Sequence, residues 1–178
     1  YWSNITRLVK LLMGTKFTNG QLKCLRKTPS WPLFDCLISN EVDLNHCIKY
    51  DEVIVRILQT FKPSSGRFYI GDKSIQIFRS DMSLIFGVDC GTKLIDLSYG
   101  AKPTAGIIHR ICKDVSRLSA VKIREILNEA LKCTKKQDNE EVARLVCMYA
   151  CIKLFFSTSG ETIGWAFYSY MDPLDNMI

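Results

Sequence analysis

Histidine is nearly absent from this sequence; only His46 and His109 occur in 178 residues. Nucleophile–base arrangements built on histidine can therefore be checked one at a time. His46 adjoins Cys47, and adjacent side chains seldom meet productively. His109 and Cys112 stand three apart and can share a helical face, yet nothing nearby signals a third orienting group or oxyanion donors. Packing is the simpler reading of that pair, and no catalytic residue is assigned. The glycines form no phosphate cradle: Gly66, Gly71, Gly87 and Gly91 fit neither G-x-G-x-x-G nor G-x-x-x-x-G-K-[ST]. No C-x-x-C pair exists. Cys147 and Cys151 are four apart, but no histidine or second cysteine pair completes a zinc set. Acidic groups at Asp35/Glu41/Asp43 and Asp172/Asp175 lack the companions that metal or acid–base work needs. Neither a cofactor nor a metal is expected, and the chain does not read as an enzyme.

Long apolar runs are missing too. Arg144, Lys153 and Glu161 interrupt the C-terminal third, whereas a spanning helix needs roughly 20 mostly apolar residues. No membrane partner is expected. The opening YWSNITRLVKLLMG is too short and too mixed for a signal peptide. Starting without Met, and stopping at Ile178, the chain reads as a piece of a longer protein. No internal repeat or low-complexity tract occurs. Exposed aromatics interleaved with arginine, the mark of single-strand binders, are not evident. Trp31 and Trp165 sit in apolar helical patterns and are expected in the core, while Trp2 is terminal.

What is present is ordinary globular material. Residues 1–178 read as one domain, with 47% apolar and 24% charged residues. Eight cysteines are scattered through helical patterns, as expected for reduced thiols in an intracellular protein. The sequon at Asn4 is the one feature pointing to secretion, and such triplets arise by chance. The net charge of +6 permits nucleic acid or acidic partners without demanding them. Its small groups, Lys23/Arg26/Lys27 and Lys132/Lys135/Lys136, suit solvated faces or helix C-termini.

Periodicity predicts a mainly α-helical domain with one small β-hairpin packed on the helices. Helices are expected over 4–13, from the Thr18 cap through Arg26, after Ser30 with Pro32 in the first turn, and over 51–61. In the last of these, Val53, Ile54, Ile57, Leu58 and Phe61 form a 3.6-period stripe. Residues 98–117 read as a flexible loop and a candidate binding element. Further helices are expected over 119–133, with Val121, Ile123, Ile126, Leu127, Ala130 and Leu131 inward, then 140–156 and 161–170. The most ordered text is GRFYIGDKSIQIFRSDMSLIFGVDCG, residues 66–91. Phe68 and Ile70 alternate with Tyr69, Ile75 and Ile77 with Gln76, and Gly71–Ser74 makes the turn. Ser80 is placed to cap a short helix with Asp81 in its first turn, and Gly87 to end it. This stretch is expected to be the hub on which the helices pack.

Residues 67–91 resemble a pattern of the plant mobile domain family. Phe68, Ile70 and Gly71 precede the strand Ile75–Phe78, followed by Leu84–Gly87–Val88 and Gly91. With Ser80 and Asp81 these form a structural signature. LRKTPSWPLFDCLIS and the helix over 51–61 look like that family's N-terminal helices. ARLVCMYACIKLFFSTSGETIGWAFYSYMDPLDNM resembles its C-terminal segment, so the likeness covers roughly 18–178 with 98–117 unmatched. Related domains occur in plant transposon-derived proteins, sometimes beside SUMO-protease-like cysteine peptidase domains. The peptidase constellation would belong to that neighbour. Domesticated members look like nuclear factors in transcriptional silencing and genome maintenance, some working with protein phosphatases. The resemblance implies a non-enzymatic, nuclear protein-interaction module, docking a partner on an apolar groove or on the 98–117 loop. Nucleic-acid binding through the basic surplus is the alternative.

Overall fold

The computed structural model describes residues 5–42, 44–46, 51–86, 100, 102–113, 115–133, 135–155 and 160–171. It is mainly α-helical, as the periodicity predicts. Helices α1 (Ile5–Met13), α2 (Asn19–Leu25) and α3 (Trp31–Ile38) come first, then a 3-10 turn at Leu44–His46. Helix α4 (Asp51–Gln59) leads into strands β1 (Phe61–Lys62), β2 (Arg67–Ile70) and β3 (Lys73–Ile75), and into helix α5 (Arg79–Phe86). Helix α6 (Gly106–Ile111), strand β4 (Leu118–Ser119), α7 (Ala120–Ala130) and α8 (Lys136–Ala150) follow. A π-helical turn (Cys151–Phe155), β5 (Thr162–Ile163) and α9 (Trp165–Tyr170) complete the order.

The core is organised around α8, and every residue from Glu141 to Ala150 is buried. A helix buried on all sides needs apolar residues all round. Ala143, Cys147 and Met148 supply them beyond the inward stripe of Val142, Leu145, Val146, Tyr149 and Ala150. Helices α7, α2, α6 and α9 all pack on it, and α1 reaches the π turn. Leu8, Leu12, Leu25, Phe34, Ile123 and Leu127 are fully enclosed in the same cluster. Burying each such side chain stabilises the fold by roughly 1.5–3 kcal/mol. Strand β4 pairs antiparallel with β5, Leu118 opposite Ile163, and ties the start of α7 to the chain before α9.

Caps explain where several helices begin. Thr18 accepts from the Gln21 amide while Gln21 Oε1 accepts from the Thr18 amide, a reciprocal pair closing the first turn of α2. Ser119 accepts from the Lys122 amide at the start of α7. Ser30 makes no such side-chain bond at α3. The α5 start also differs from expectation. Ser80 lies inside the helix, and Asp81 Oδ2 reaches back to accept from the Phe78 amide at 2.7 Å. This charge-assisted bond closes the entry to α5 from inside its first turn, a different geometry from the forward cap expected of Ser80.

Three expectations about placement are corrected. The 66–91 stretch is not the hub: no described side chain between Glu52 and Ile85 is buried. The stripe Val53, Ile54, Ile57, Leu58 and Phe61 is 40–53% exposed, so the apolar face of α4 is not covered as packing on a 66–91 hub requires. Its periodicity reports an amphipathic helix and cannot report what the apolar face meets. Within 98–117, residues 106–111 are helical, and Ile108 and Cys112 are buried. Gly106 at φ +86 makes the sharp entry into that helix. Smaller differences follow the same pattern. Val121 points outward at 66% exposure, Phe61 belongs to a strand, and Thr162–Ile163 form β5.

Candidate functional site

The three-stranded sheet β1–β2–β3 and its flanking helices carry the surface that the core leaves unused. Strand register places Phe61 opposite Phe68, Lys62 opposite Arg67, Tyr69 opposite Ser74 and Ile70 opposite Lys73. Gly66 and Gly71, at φ +64 and +61, sit in the two connections. Side chains alternate across a strand, so the sheet has two unlike faces. One carries Phe61, Phe68, Ile70 and Ile75 together with Lys73, with the two phenyl rings 4.9 Å apart. The other carries Lys62, Arg67, Tyr69 and Ser74.

Among the described residues, thirteen of the sixteen exposed large hydrophobic side chains fall between Val53 and Ile85. Val53, Ile54 and Leu58 come from α4, and Ile77 and Phe78 follow β3. Leu84 and Ile85, on α5, are 84% and 66% exposed. Single exposed hydrophobics are normal; a concentration in one stretch marks an interaction surface.

The signature residues divide accordingly. Phe68 is half-buried in β2, Ile70 ends that strand and is exposed, and Gly71 forms the turn. Ser80 and Asp81 lie in α5, while Gly87 and Gly91 fall outside the described residues. The described members therefore share one segment and serve its turn, strand and cap geometry.

Sequence reasoning missed the basic face of the sheet. Lys62 Nζ lies 4.6 Å from the centre of the Tyr69 ring, and Arg67 Nη1 donates to Ser74 Oγ at 3.3 Å. The Tyr69 hydroxyl lies 3.5 Å from Ser65 Oγ. Contact with Ser65, then Ser74, Lys62 and Arg67, lowers the Tyr69 phenol below its usual range. An exposed aromatic interleaved with cations is thus present after all. The signal was the alternation K-P-S-S-G-R-F-Y, legible only once Lys62 is known to pair with Arg67.

A second recess is polar and lies among α6, α8 and α9. It is a groove of about 530 Å³ whose lining includes Thr104, Gln137, Glu140, Glu141, Arg144 and Tyr168. Glu141 Oε2 accepts from the Tyr168 hydroxyl at 3.0 Å and lies 3.7 Å from Arg144 Nη1. Arg144 also faces Glu140 at 3.6 Å and donates from Nε to the Met171 carbonyl. One guanidinium thus faces two carboxylates, and through Tyr168 and the Met171 carbonyl the arrangement ties α8 to α9.

His109 and Cys112 both line a smaller recess of about 140 Å³ with Ile108 and Trp165. His109 is exposed, with Nδ1 3.1 Å from the Pro103 carbonyl. Cys112 is 1% exposed, and burial pushes its thiol up, away from the thiolate a nucleophile needs. Of the eight cysteines, Cys24, Cys36, Cys112, Cys133, Cys147 and Cys151 are described, and all six are free thiols. Among the described residues no group of three metal-ligating side chains gathers. No described helix is long and apolar enough to cross a membrane.

Fold and surface together define a helical domain bearing an exposed, partly apolar and partly basic β-sheet segment. The chain belongs to the DUF8566 family, a domain of unknown function, whose family model matches residues 42–178. No protein of curated function and no solved structure matches it.

Proposed function

We propose that this chain is a non-enzymatic protein-interaction module of a plant nuclear, transposon-derived protein acting in transcriptional silencing or genome maintenance. The observation that carries the interaction reading is the concentration of exposed aliphatic side chains between Val53 and Ile85. Leaving so much apolar surface in water is unfavourable at roughly 25 cal/mol per Å², and a partner's apolar side chains relieve it. The plant, nuclear and transposon-derived parts rest on the resemblance of residues 67–91 to the plant mobile domain pattern.

The test is cross-linking capture in plant nuclei with the wild-type chain and a Leu58→Glu/Leu84→Glu variant. Both positions are exposed, so the variant keeps the core and its thermal transition. The wild type is expected to enrich a reproducible set of nuclear proteins that the variant loses. A wild-type set indistinguishable from background, or one unchanged by the double substitution, overturns the reading.

A further inference from the structure

We propose that the basic face of the β1–β2–β3 sheet binds single-stranded nucleic acid, with Tyr69 stacking on a base and Lys62 and Arg67 holding the flanking phosphates.

The argument begins with charge. Between Phe61 and Ser80 the chain carries Lys62, Arg67, Lys73 and Arg79 against a single acid, Asp72. Lys73, opposite Ile70, belongs to the apolar face, so the charge of the basic face comes from Lys62 and Arg67. Two of the cations, Lys62 and Arg67, stand directly opposite each other across β1 and β2. Like charges at directly opposed positions destabilise a sheet. Among the described residues neither has a carboxylate partner. A polyanion relieves that repulsion by occupying the space between them.

Geometry then selects among polyanions. Tyr69 is 38% exposed and lies on the same face, with the Lys62 ammonium over its ring. The hydroxyls of Ser65, Ser74 and Tyr69 surround the cations with neutral hydrogen-bonding groups. An acidic peptide would use the two cations but leave the ring idle. A duplex hides its base faces in its own stack. A single strand offers both a phosphate backbone for cations and unstacked bases for an aromatic ring, the combination that sequence-tolerant strand binders use. When Lys62 turns to a phosphate, it vacates the ring face that a base can cover.

This inference does not depend on the protein-interaction reading, which rests on the apolar side chains of α4 and α5. The experiment uses fluorescence anisotropy of the full chain with a labelled 15-nucleotide dT strand at 50 mM and 200 mM salt. Parallel arms use a 15-base-pair duplex, phosphatidylserine vesicles and a phosphoserine peptide. Two neutralised phosphates, at a slope of about −0.7 each, predict an affinity loss of ~7-fold across that salt range. Tyr69→Ala is expected to weaken strand binding at least about fivefold, and Tyr69→Phe, which keeps the ring, to stay within about twofold. Lys62→Gln/Arg67→Gln should flatten the salt dependence. All three positions are exposed, so circular dichroism and thermal melting should be unchanged in each variant.

No strand binding at 50 mM salt, equal affinity for the duplex, or indifference to Tyr69→Ala overturns the proposal. Binding of vesicles or phosphopeptide with none of dT also overturns it and reassigns the face to that ligand.

Discussion

The ammonium of Lys153, 1% exposed, lies against the carboxylate of Glu161, and Glu161 in turn takes the guanidinium of Arg7 at 3.2 Å. The Lys153 contact is one of charge; its alignment is too poor for a hydrogen bond. The Lys153 Nζ also lies 5.8 Å from the centre of the Tyr149 ring. Glu161 itself sits at φ +45, a conformation most side chains avoid, and its carbonyl accepts from the Ala120 amide. One residue thereby joins α1, the π turn and the start of α7. Removing one partner of a buried pair leaves the other charge uncompensated. Glu161→Gln, which strands the buried Lys153 ammonium, is expected to lower stability by about 3–5 kcal/mol in urea unfolding, while Lys153→Met costs less because the part-exposed Glu161 keeps Arg7. A Glu161→Gln midpoint equal to wild type would show that this contact does not hold the C-terminal segment.

Two features favour glycine at position 106. Its φ of +86 disfavours any side chain, and a Cβ there would lie 2.8 Å from Glu141 Oε1. Gly106→Ala is expected to lower the unfolding free energy by ~1–3 kcal/mol. Thermal melting of that single variant is the check, and an unchanged transition would mean that α6 re-enters by another route.

The division between core and surface segment is measurable directly. Ile123, at 0% exposure, lies in the cluster around α8, whereas Ile54 on α4 is 42% exposed. Ile123→Ala should cost about 2–5 kcal/mol. Ile54→Ser should change global stability by no more than about 0.5 kcal/mol. Comparable losses from the two substitutions would restore the 66–91 segment and its neighbours to the core.

Alkaline pH tests two thiols, the buried Cys147 and the half-buried Cys151. Burial pushes Cys147 far up and Cys151 up to about 12, from an ordinary 9.0. In the unfolded chain both ionise near 9.0, so above that pH the folded state holds more protons. Their contribution is complete below pH 9 and is lost as pH rises from 9 towards 12. The loss approaches ~1.4 kcal/mol per pH unit for each thiol. Urea midpoints measured from pH 8 to 10.5 should fall, and fall less in Cys151→Ala. Parallel curves for the two proteins would contradict the assignment.

Local structure was legible in the sequence, and global placement much less so. The Thr18 cap, the Pro32 position, α1, α7 and the turns at Gly66 and Gly71 follow from local chemistry, and each was readable from a few neighbouring residues. The hub was misplaced because regular alternation in 66–78 and the stripe in α4 show which residues share a face, not whether anything covers that face. The buried position of α8 was partly hidden by Glu141 and Arg144, whose charges suggest an exposed side until their mutual pairing is seen. The basic sheet face was invisible because Lys62 and Arg67 become opposite neighbours only through the fold around Gly66. Cys112 illustrates the reverse case: spacing suggested chemistry with His109, and burial shows a packed thiol.

Because no described side chain between Glu52 and Ile85 is buried, substitutions there escape the steric demands that restrict α8. Apart from turn and cap positions such as Gly66, Gly71 and Asp81, exchange in this stretch disturbs no buried packing among the described residues. A scaffold of this kind can be retuned: its sheet can drift towards a new binding target while the helical core remains the same.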